Sequence, residues 1–144
     1  MEIREIQSKE TLNIRLEILR PNGTLKDCVF PGDSEHTTKH FGAFIDHSLV
    51  GIVSIYKVGH SSFKGLGFQI RAMATLPEAR GKGAGSYLLK SAEAYAFNHG
   101  ADYIWANART SAKEFYRKTG YCVSEYEFNI KGIGPHVIVS KTPA

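Results

Sequence analysis

The chain has 144 residues, a common size for one folded domain, and 42% of them are hydrophobic, enough to form a core. Its 18 Lys and Arg residues against 14 Asp and Glu residues give a formal net charge of +4 at pH 7. No apolar run approaches the ~18 residues of a membrane span, the N-terminus is too charged for a signal peptide, and the cations form no nucleic-acid-binding cluster. We therefore expect one cytoplasmic domain over residues 1–144, without membrane or nucleic-acid partners.

The first part of the chain predicts a strand, a helix and a loop. Residues 2–6 alternate between polar and apolar side chains, as a short strand does. The stretch 8–20 has leucines at helical spacing, with Ser8 as a candidate N-cap and Pro21 marking the end. Residues 22–38 are polar and irregular, which predicts a long loop or a weak second helix, and such loops are often functional.

Three β-rich runs follow. Residues 40–46 and 48–58 are joined by Asp46–His47, and this spacing predicts a hairpin. A third run, 68–76, stops at Pro77. The middle of the chain therefore predicts three consecutive strands.

The remaining segments alternate between helices and strands. Residues 101–108 predict a strand covered on both faces, 110–121 a short helix, and 122–130 and 135–141 two closing strands. A glycine-rich loop and a helix that ends at Gly100 come before them; the apolar face of this helix holds Leu88, Leu89, Ala92, Tyr95 and Ala96. The order β-α-loop-β-β-β-α-β-α-β-β indicates an α/β (α+β) protein with a mixed sheet and helices on its faces.

The loop ahead of that helix, in ARGKGAGSYL, is typical of an anion site. Gly81, Gly83 and Gly85 let a ligand approach the backbone, and a helix N-terminus offers free N–H groups and partial positive charge. The triphosphate-binding loop does not fit, because Lys82 lies between glycines. The dinucleotide fingerprint does not fit either, because its third glycine is replaced by Ser86 and no acid ends the next strand.

A third pattern, R-x-x-G-x-G, is met by Arg80, Gly83 and Gly85. The run MATLPEARGKGAGSYLL resembles the acetyl-coenzyme A motif of the GNAT superfamily of N-acetyltransferases, and the resemblance extends from about residue 41 to the C-terminus. It implies a mostly antiparallel sheet of six to seven strands, about four flanking helices and a splayed central strand pair. It also implies that acetyl-CoA is the co-substrate.

The resemblance assigns the coenzyme contacts. It implies that pantetheine lies along Met73, Ala74 and Thr75, that a backbone N–H near Met73 or Ala74 polarises the acetyl carbonyl, and that Asn107 bonds the pantetheine amides. Arg109 stands where some family members have a second asparagine, which puts a charge near pantetheine or the acceptor. The residues implied to hold the pyrophosphate are Arg80, Gly81, Lys82, Gly83, Ala84, Gly85 and Ser86.

A second motif concerns the chemistry. SAKEFYRKTGY resembles the family pattern A-x-x-[FL]-Y-x-x-x-G-[FY], which implies that Tyr116 is the general acid that protonates the departing thiolate. Phenol and thiol pKa values are close enough for such a transfer. Phe115 and Tyr121 are expected in the core.

The resemblance implies an amine acceptor, whose proton must be removed because an alkyl amine has a pKa near ~10. Candidate bases are Glu35, His40 and His136, with Glu78 a more distant one, or water. The expected acceptor walls, residues 20–40 and 126–136, carry both signs of charge and favour no substrate class. The acceptor is thus a small-molecule or peptide amine, and a homodimer stays open.

One alternative function remains beside the enzyme. A non-catalytic acyl-CoA sensor on the same fold would need the glycine loop but no general acid.

No metal is expected, because the pair His36 and His40, at i, i+4, has no third ligand. Cys28 and Cys122 match no metal or redox motif; reduced thiols are the simpler interpretation, and a disulfide between them stays open.

Overall fold

The computed structural model describes all 144 residues and places eight strands in one sheet. The strands are β1 (Glu2–Ile6), β2 (Lys39–Ile45), β3 (Ser48–Tyr56), β4 (Gly67–Thr75), β5 (Tyr103–Arg109), β6 (Cys122–Val123), β7 (Phe128–Ile130) and β8 (Gly134–Lys141). Their order is β1-β2-β3-β4-β5-β8-β6, and β7 also pairs with β8. Every pair is antiparallel except β4 with β5.

Three α-helices flank this sheet: α1 (Leu12–Ile14), α2 (Ala84–Asn98) and α3 (Lys113–Lys118). A 3-10 turn, Ser8–Thr11, and a π-helical turn, Arg15–Leu19, extend α1 in both directions. Further 3-10 turns are Leu25–Cys28, Pro77–Ala79 and Thr110–Ala112. No helix is long and apolar enough to cross a membrane.

The predicted fold class, a mixed and mostly antiparallel sheet with helices around it, is confirmed. The hairpin is also confirmed, since Asp46 and His47 have φ angles of 49° and 67° at its turn. The sheet has one strand more than the upper prediction, because 122–130 forms two short strands separated by the irregular residues 124–127. The helical stretch begins after Gln7 rather than Ser8, and Glu10 accepts a hydrogen bond from the Gln7 backbone N–H.

The core lies on both faces of the sheet. On one face, α2 contributes Leu88, Leu89, Ala92 and Ala96, all 1% exposed or less, to a cluster with the central strands. On the other, Ile14 packs with Ile52 and Ala74. At about 25 cal/mol per Å² of apolar surface removed from water, this burial is the main stabilising contribution to the fold. All strands belong to one sheet, and a single domain over residues 1–144 stays a prediction.

The centre of the sheet is open where β4 and β5 diverge. These strands pair only between Gly67–Gln69 and Tyr103–Trp105, and each continues unpaired with the other beyond that point. On its other side, β4 has a bulge, because Ala72 and Met73 together oppose a single residue of β3. Ala72 has a φ of 57°, uncommon outside glycine, which turns the strand. The expected splayed pair is therefore present, and it opens a cleft through the sheet.

Candidate active site

The glycine loop, residues 80–85, joins β4 to α2. Gly81 and Gly83 have φ angles of 79° and 81°, in the left-handed region that favours glycine. A Cβ on Gly81 would meet no atom within 4 Å, so the backbone there faces open space. Gly83 caps α2, and this leaves the first N–H groups of a 15-residue helix without intrahelical partners. The loop therefore presents donors and a partial positive charge to a groove of about 420 Å³.

That groove brings together most of the residues expected at the coenzyme. It is lined by Met73, Ala74, Thr75, Ala79, Arg80, Gly81, Gly83, Ala84, Gly85, Ser86 and Phe115. Lys82 is exposed in the same loop but does not line the groove. The tip of β4 and the N-terminus of α2 thus form the two walls of one groove.

A second cavity, of about 490 Å³, occupies the opening between the diverging strands; we call it the β4–β5 cleft. Met73 and Phe115 line both cavities, so the groove and the cleft are adjacent. Asn107, near the end of β5, lines the cleft, as expected for a group that bonds a ligand lying between the strands. A ligand anchored at the glycine loop can therefore extend into the cleft.

Tyr116 reaches the β4–β5 cleft from α3. The residue is 6% exposed, and its ring packs edge-on against Phe115 and Tyr121 at centroid distances of 5.3 and 5.2 Å. Burial raises the pKa of its phenol well above the ordinary value of 10.0, and no hydrogen bond within the chain engages the hydroxyl. Tyr116 is therefore a protonated, unengaged donor at the wall of the cleft.

Comparison with known proteins identifies this arrangement. A sequence profile of the acetyltransferase (GNAT) family matches residues 2–121. The chain belongs to this family. It is therefore an acetyltransferase that uses an acyl-CoA donor, which supports the enzyme over the acyl-CoA sensor.

Individual relatives of this GNAT chain agree. A Bacillus subtilis protein named uncharacterized N-acetyltransferase YitI is 34% identical over 143 residues, 99% of this chain and 96% of that protein. The structure of an aminoglycoside 6'-N-acetyltransferase complexed with coenzyme A has a TM-score of 0.76 at 16% identity, covering 99% and 97% of the two chains. Ribosomal-protein-alanine N-acetyltransferase from Brucella melitensis gives 0.78 at 15% identity, covering 99% and 100%. At such identities the likeness to both structures shows the GNAT fold.

The three candidate bases of this GNAT protein occupy different environments. Glu35 is exposed and does not line the β4–β5 cleft. His40 is buried, with Nδ1 2.6 Å from the Ser54 hydroxyl and Nε2 3.0 Å from the Asp33 carbonyl oxygen, so both ring nitrogens are engaged. His136 lines the cleft, and its Nδ1 donates to its neighbour Gly134 O at 2.8 Å. That bond leaves Nε2 of a neutral His136 as the acceptor.

His40 belongs to a buried polar network centred on Arg15, which sequence reasoning missed. Arg15 is fully buried and donates to both carboxylate oxygens of Asp33, at 2.6 and 3.1 Å, and to the hydroxyls of Ser54 and Tyr56. Burial alone raises the pKa of Asp33, but hydrogen bonds from Arg15, Tyr56 and the Phe30 N–H outweigh it, and the pKa is lowered. Burial, with the hydrogen bond to Asp33, raises the pKa of Tyr56 to about 12. The network fixes the 22–38 loop against β3.

The lining of the β4–β5 cleft includes Arg20 and Phe30, from the predicted acceptor wall 20–40, Arg109, whose charge was expected there, and Arg71, which sequence reasoning missed. Phe30 comes from the 22–38 loop, and Arg20 and Arg71 flank its ring. Arg109, which departs from the family pattern, lines the same cleft. Strand alternation could have placed Arg71 on the face opposite Ile70. Only the three-dimensional structure shows that the 22–38 loop, β4 and β5 meet at this cleft.

No group of three or more His, Cys, Asp or Glu side chains is placed to hold a metal ion. His36 is exposed and His40 is buried, so the spaced pair does not form a site. Cys28 is buried, Cys122 is exposed, and both are free thiols.

Proposed function

We propose that this protein transfers the acetyl group of acetyl-CoA directly to a primary amine bound in the β4–β5 cleft. The observation that carries the proposal is that the groove at the glycine loop lies next to that cleft, with Met73 and Phe115 lining both. The groove that would bind the phosphates therefore adjoins the cleft that would bind the thioester arm. Family membership provides the reaction, and the geometry supports its location.

The glycine loop would hold the pyrophosphate of the donor. Backbone N–H groups from Arg80 to Gly85 and the N-terminus of α2 provide hydrogen bonds and positive potential for two phosphate charges. The exposed side chains of Arg80 and Lys82 add charge at the same place. A larger residue at Gly83 would strain the turn and obstruct the approach of the ligand.

The bulged end of β4 would orient the acetyl group. Ala72 and Met73 lie outside the regular pairing with β3, and β5 has already diverged, so backbone groups near Met73 and Ala74 are placed to bond an extended arm. We propose that one of these N–H groups stabilises the oxyanion that forms on the carbonyl as the amine attacks. Asn107, on the facing wall, would bond the amides of the arm.

Two side chains would move the protons. Tyr116 would donate its phenolic proton to the departing sulfur. Burial raises the pKa of the phenol, but the same buried surroundings also disfavour an unprotonated thiolate, so the proton transfer stays feasible. His136 would accept the amine proton at Nε2, directly or through one water, because it is the one of the three candidates that lines the cleft with a free ring nitrogen. No covalent acetyl-enzyme is required.

A screen of amines with acetyl-CoA tests the proposal, with free thiol read colorimetrically and the acetylated amine identified by mass spectrometry. Initial rates over both substrate concentrations should give intersecting double-reciprocal lines, the pattern of a ternary complex. Parallel lines, or a trapped acetylated residue, would contradict direct transfer. Thiol release without an acetylated amine would contradict the amine acceptor.

A further inference from the structure

The β4–β5 cleft carries positive charge without compensating negative charge. Arg71 lies on β4, Arg109 ends β5, and Arg20 follows the π-helical turn. All three line the cleft, together with His136, and no Asp or Glu side chain does. The mixed charge that the sequence suggested for the acceptor walls is therefore not what the cleft presents.

Three of the acids near this region in sequence are engaged by other groups. Asp33 pairs with Arg15 in the buried network. Asp27 accepts hydrogen bonds from the N–H and hydroxyl of Thr24 at a helix start. Glu127 pairs with Lys113 at 3.7 Å, outside the cleft. Because these carboxylates do not line the cleft, they do not compensate the positive charge of its arginines.

The three arginines have no acidic partner in the chain. None of them takes part in any of its ion pairs. The Cζ atoms of Arg20 and Arg71 lie 5.6 and 4.9 Å from the centroid of the Phe30 ring, so two half-buried guanidinium groups share one aromatic side chain. Each gains from the ring, but the like charges repel in a partly desolvated place. An oxyanion bound between them removes that repulsion.

The donor does not account for these charges. Its phosphates belong at the glycine loop, where Arg80 and the α2 N-terminus lie, and neither Arg20, Arg71 nor Arg109 lines that groove. The pantetheine arm that enters the cleft carries amides and a thioester, which are neutral. The cationic wall therefore faces the acceptor.

We propose that the acceptor is a small amine that itself carries an oxyanion, a carboxylate or a phosphate, bound by Arg20 and Arg71 with Arg109 adding positive potential. The inference rests on the proposed function and narrows it. A cleft of about 490 Å³ that also admits the acetylated arm has room for a compound of amino-acid size. Planar guanidinium groups suit the bidentate bonds that both oxyanions accept.

Matched acceptors that differ in the presence of an anionic group test this substrate class. The pairs are aspartate against aspartate diamide and O-phosphoethanolamine against ethanolamine, with putrescine as a cationic amine. We expect kcat/KM to be at least about 10-fold higher for an anionic member than for its neutral partner, the scale of one charged hydrogen bond. The two pairs separate carboxylate from phosphate recognition. Transfer to neutral amines or putrescine at equal or higher kcat/KM would overturn the inference and leave the proposed function intact.

Variants assign the preference to the arginines. Arg71→Gln should lower kcat/KM for the anionic acceptor about 10- to 100-fold, so that the anionic-to-neutral ratio falls toward one, and Arg71→Lys should restore part of the ratio. Arg4→Gln is the matched control, because Arg4 is an exposed arginine on the distant edge strand β1. An unchanged ratio in Arg71→Gln and Arg20→Gln would contradict the assignment.

A binding measurement makes the test independent of turnover. Calorimetry on the CoA-saturated protein should show N-acetylaspartate or N-acetyl-O-phosphoethanolamine binding at least about 10-fold more tightly than N-acetylputrescine, and Arg71→Gln should abolish the difference. Equal affinities, or no binding of either anionic probe, would overturn the inference. The proposed function fails separately, if acetyl-CoA itself does not bind or no amine in the wider screen is acetylated.

Discussion

Replacing Tyr116 with phenylalanine removes a single oxygen atom from the wall of the β4–β5 cleft. The ring contacts with Phe115 and Tyr121 stay, and the hydroxyl has no hydrogen bond within the chain to lose. The Tm should therefore remain within about a degree of the wild-type value. If Tyr116 donates the proton, kcat should fall about 10²- to 10⁴-fold, a loss of about 3–5 kcal/mol of transition-state stabilisation.

Tyr121 supplies a matched control, because its ring packs directly against that of Tyr116. Its hydroxyl donates to Glu93 Oε2 at 2.7 Å, and Lys141 holds the same carboxylate from the other side at 3.2 Å. Tyr121→Phe should therefore cost about 1.5 kcal/mol of stability, or roughly 3–6 °C in Tm. Its kcat should stay near the wild-type value, because Tyr121 does not line the cleft.

The two variants should thus separate chemistry from stability. Steady-state thiol release with acetyl-CoA gives kcat and KM, and a thermal melt gives Tm. The KM for acetyl-CoA should change little in Tyr116→Phe, since the ground-state thioester needs no proton. Full kcat in Tyr116→Phe would refute the general-acid role, and a raised KM with kcat preserved would make Tyr116 a binding residue.

Four further predictions follow from the same structure. Gly83→Val should lose the thermal stabilisation by acetyl-CoA, whereas Gly132→Val, at the same φ of 81°, should share the strain but keep that stabilisation; equal shifts would contradict the loop assignment. Burial lowers the pKa of His40 below its ordinary 6.5, so its neutral form stabilises the fold above that pH and the stability is lost as pH falls below it; denaturant titration of His40→Asn should give a flatter pH dependence. The pKa of Asp33 is lowered from its ordinary 3.8, so its ionised form stabilises the fold above that pH, and this contribution is lost as pH falls through the lowered pKa. His136→Gln should lower kcat/KM about 10²-fold, whereas an unchanged kcat/KM would exclude this base. Activity should survive EDTA, and zinc-restored activity would reveal a metal requirement.

The glycine loop and its strand were predictable because the signal is local. A strand, a proline, glycines and an apolar helix follow one another within about twenty residues, and each backbone choice depends on its neighbours. The left-handed φ angles of Gly81 and Gly83 agree with that reading. The divergence of β4 from β5 was implied by family resemblance rather than by any residue pattern, since it depends on strands far apart in the chain.

The acceptor side was not predictable, because its charges are arranged by tertiary contacts. Arg15 occupies a helical stretch whose pattern gives no sign that it is fully buried. Its pairing with Asp33 keeps this carboxylate away from the acceptor wall. Arg15 also donates to the Ser54 hydroxyl, which in turn hydrogen-bonds His40. Linear sequence showed both signs of charge there, and only the fold decides which of them reach the cleft.

The divided strand near the C-terminus has a related cause. Ser124 bonds the N–H of Ile138 through its hydroxyl and so interrupts regular pairing with β8 between Val123 and Phe128. A side chain that replaces a backbone partner leaves no mark in hydrophobic alternation. The sequence therefore predicted one strand where the sheet has two.

The central claim, acetyl transfer to an amine at this cleft, is tested most directly by the stoichiometry of one reaction. Thiol and acetylated amine should be measured together, in the same samples, from the first turnover onward. The account predicts one acetylated amine for each thiol released by the wild-type protein, and neither product above background from Gly83→Val at the same acetyl-CoA concentration. Thiol released without acetylated amine, or equal yields from both proteins, would contradict it.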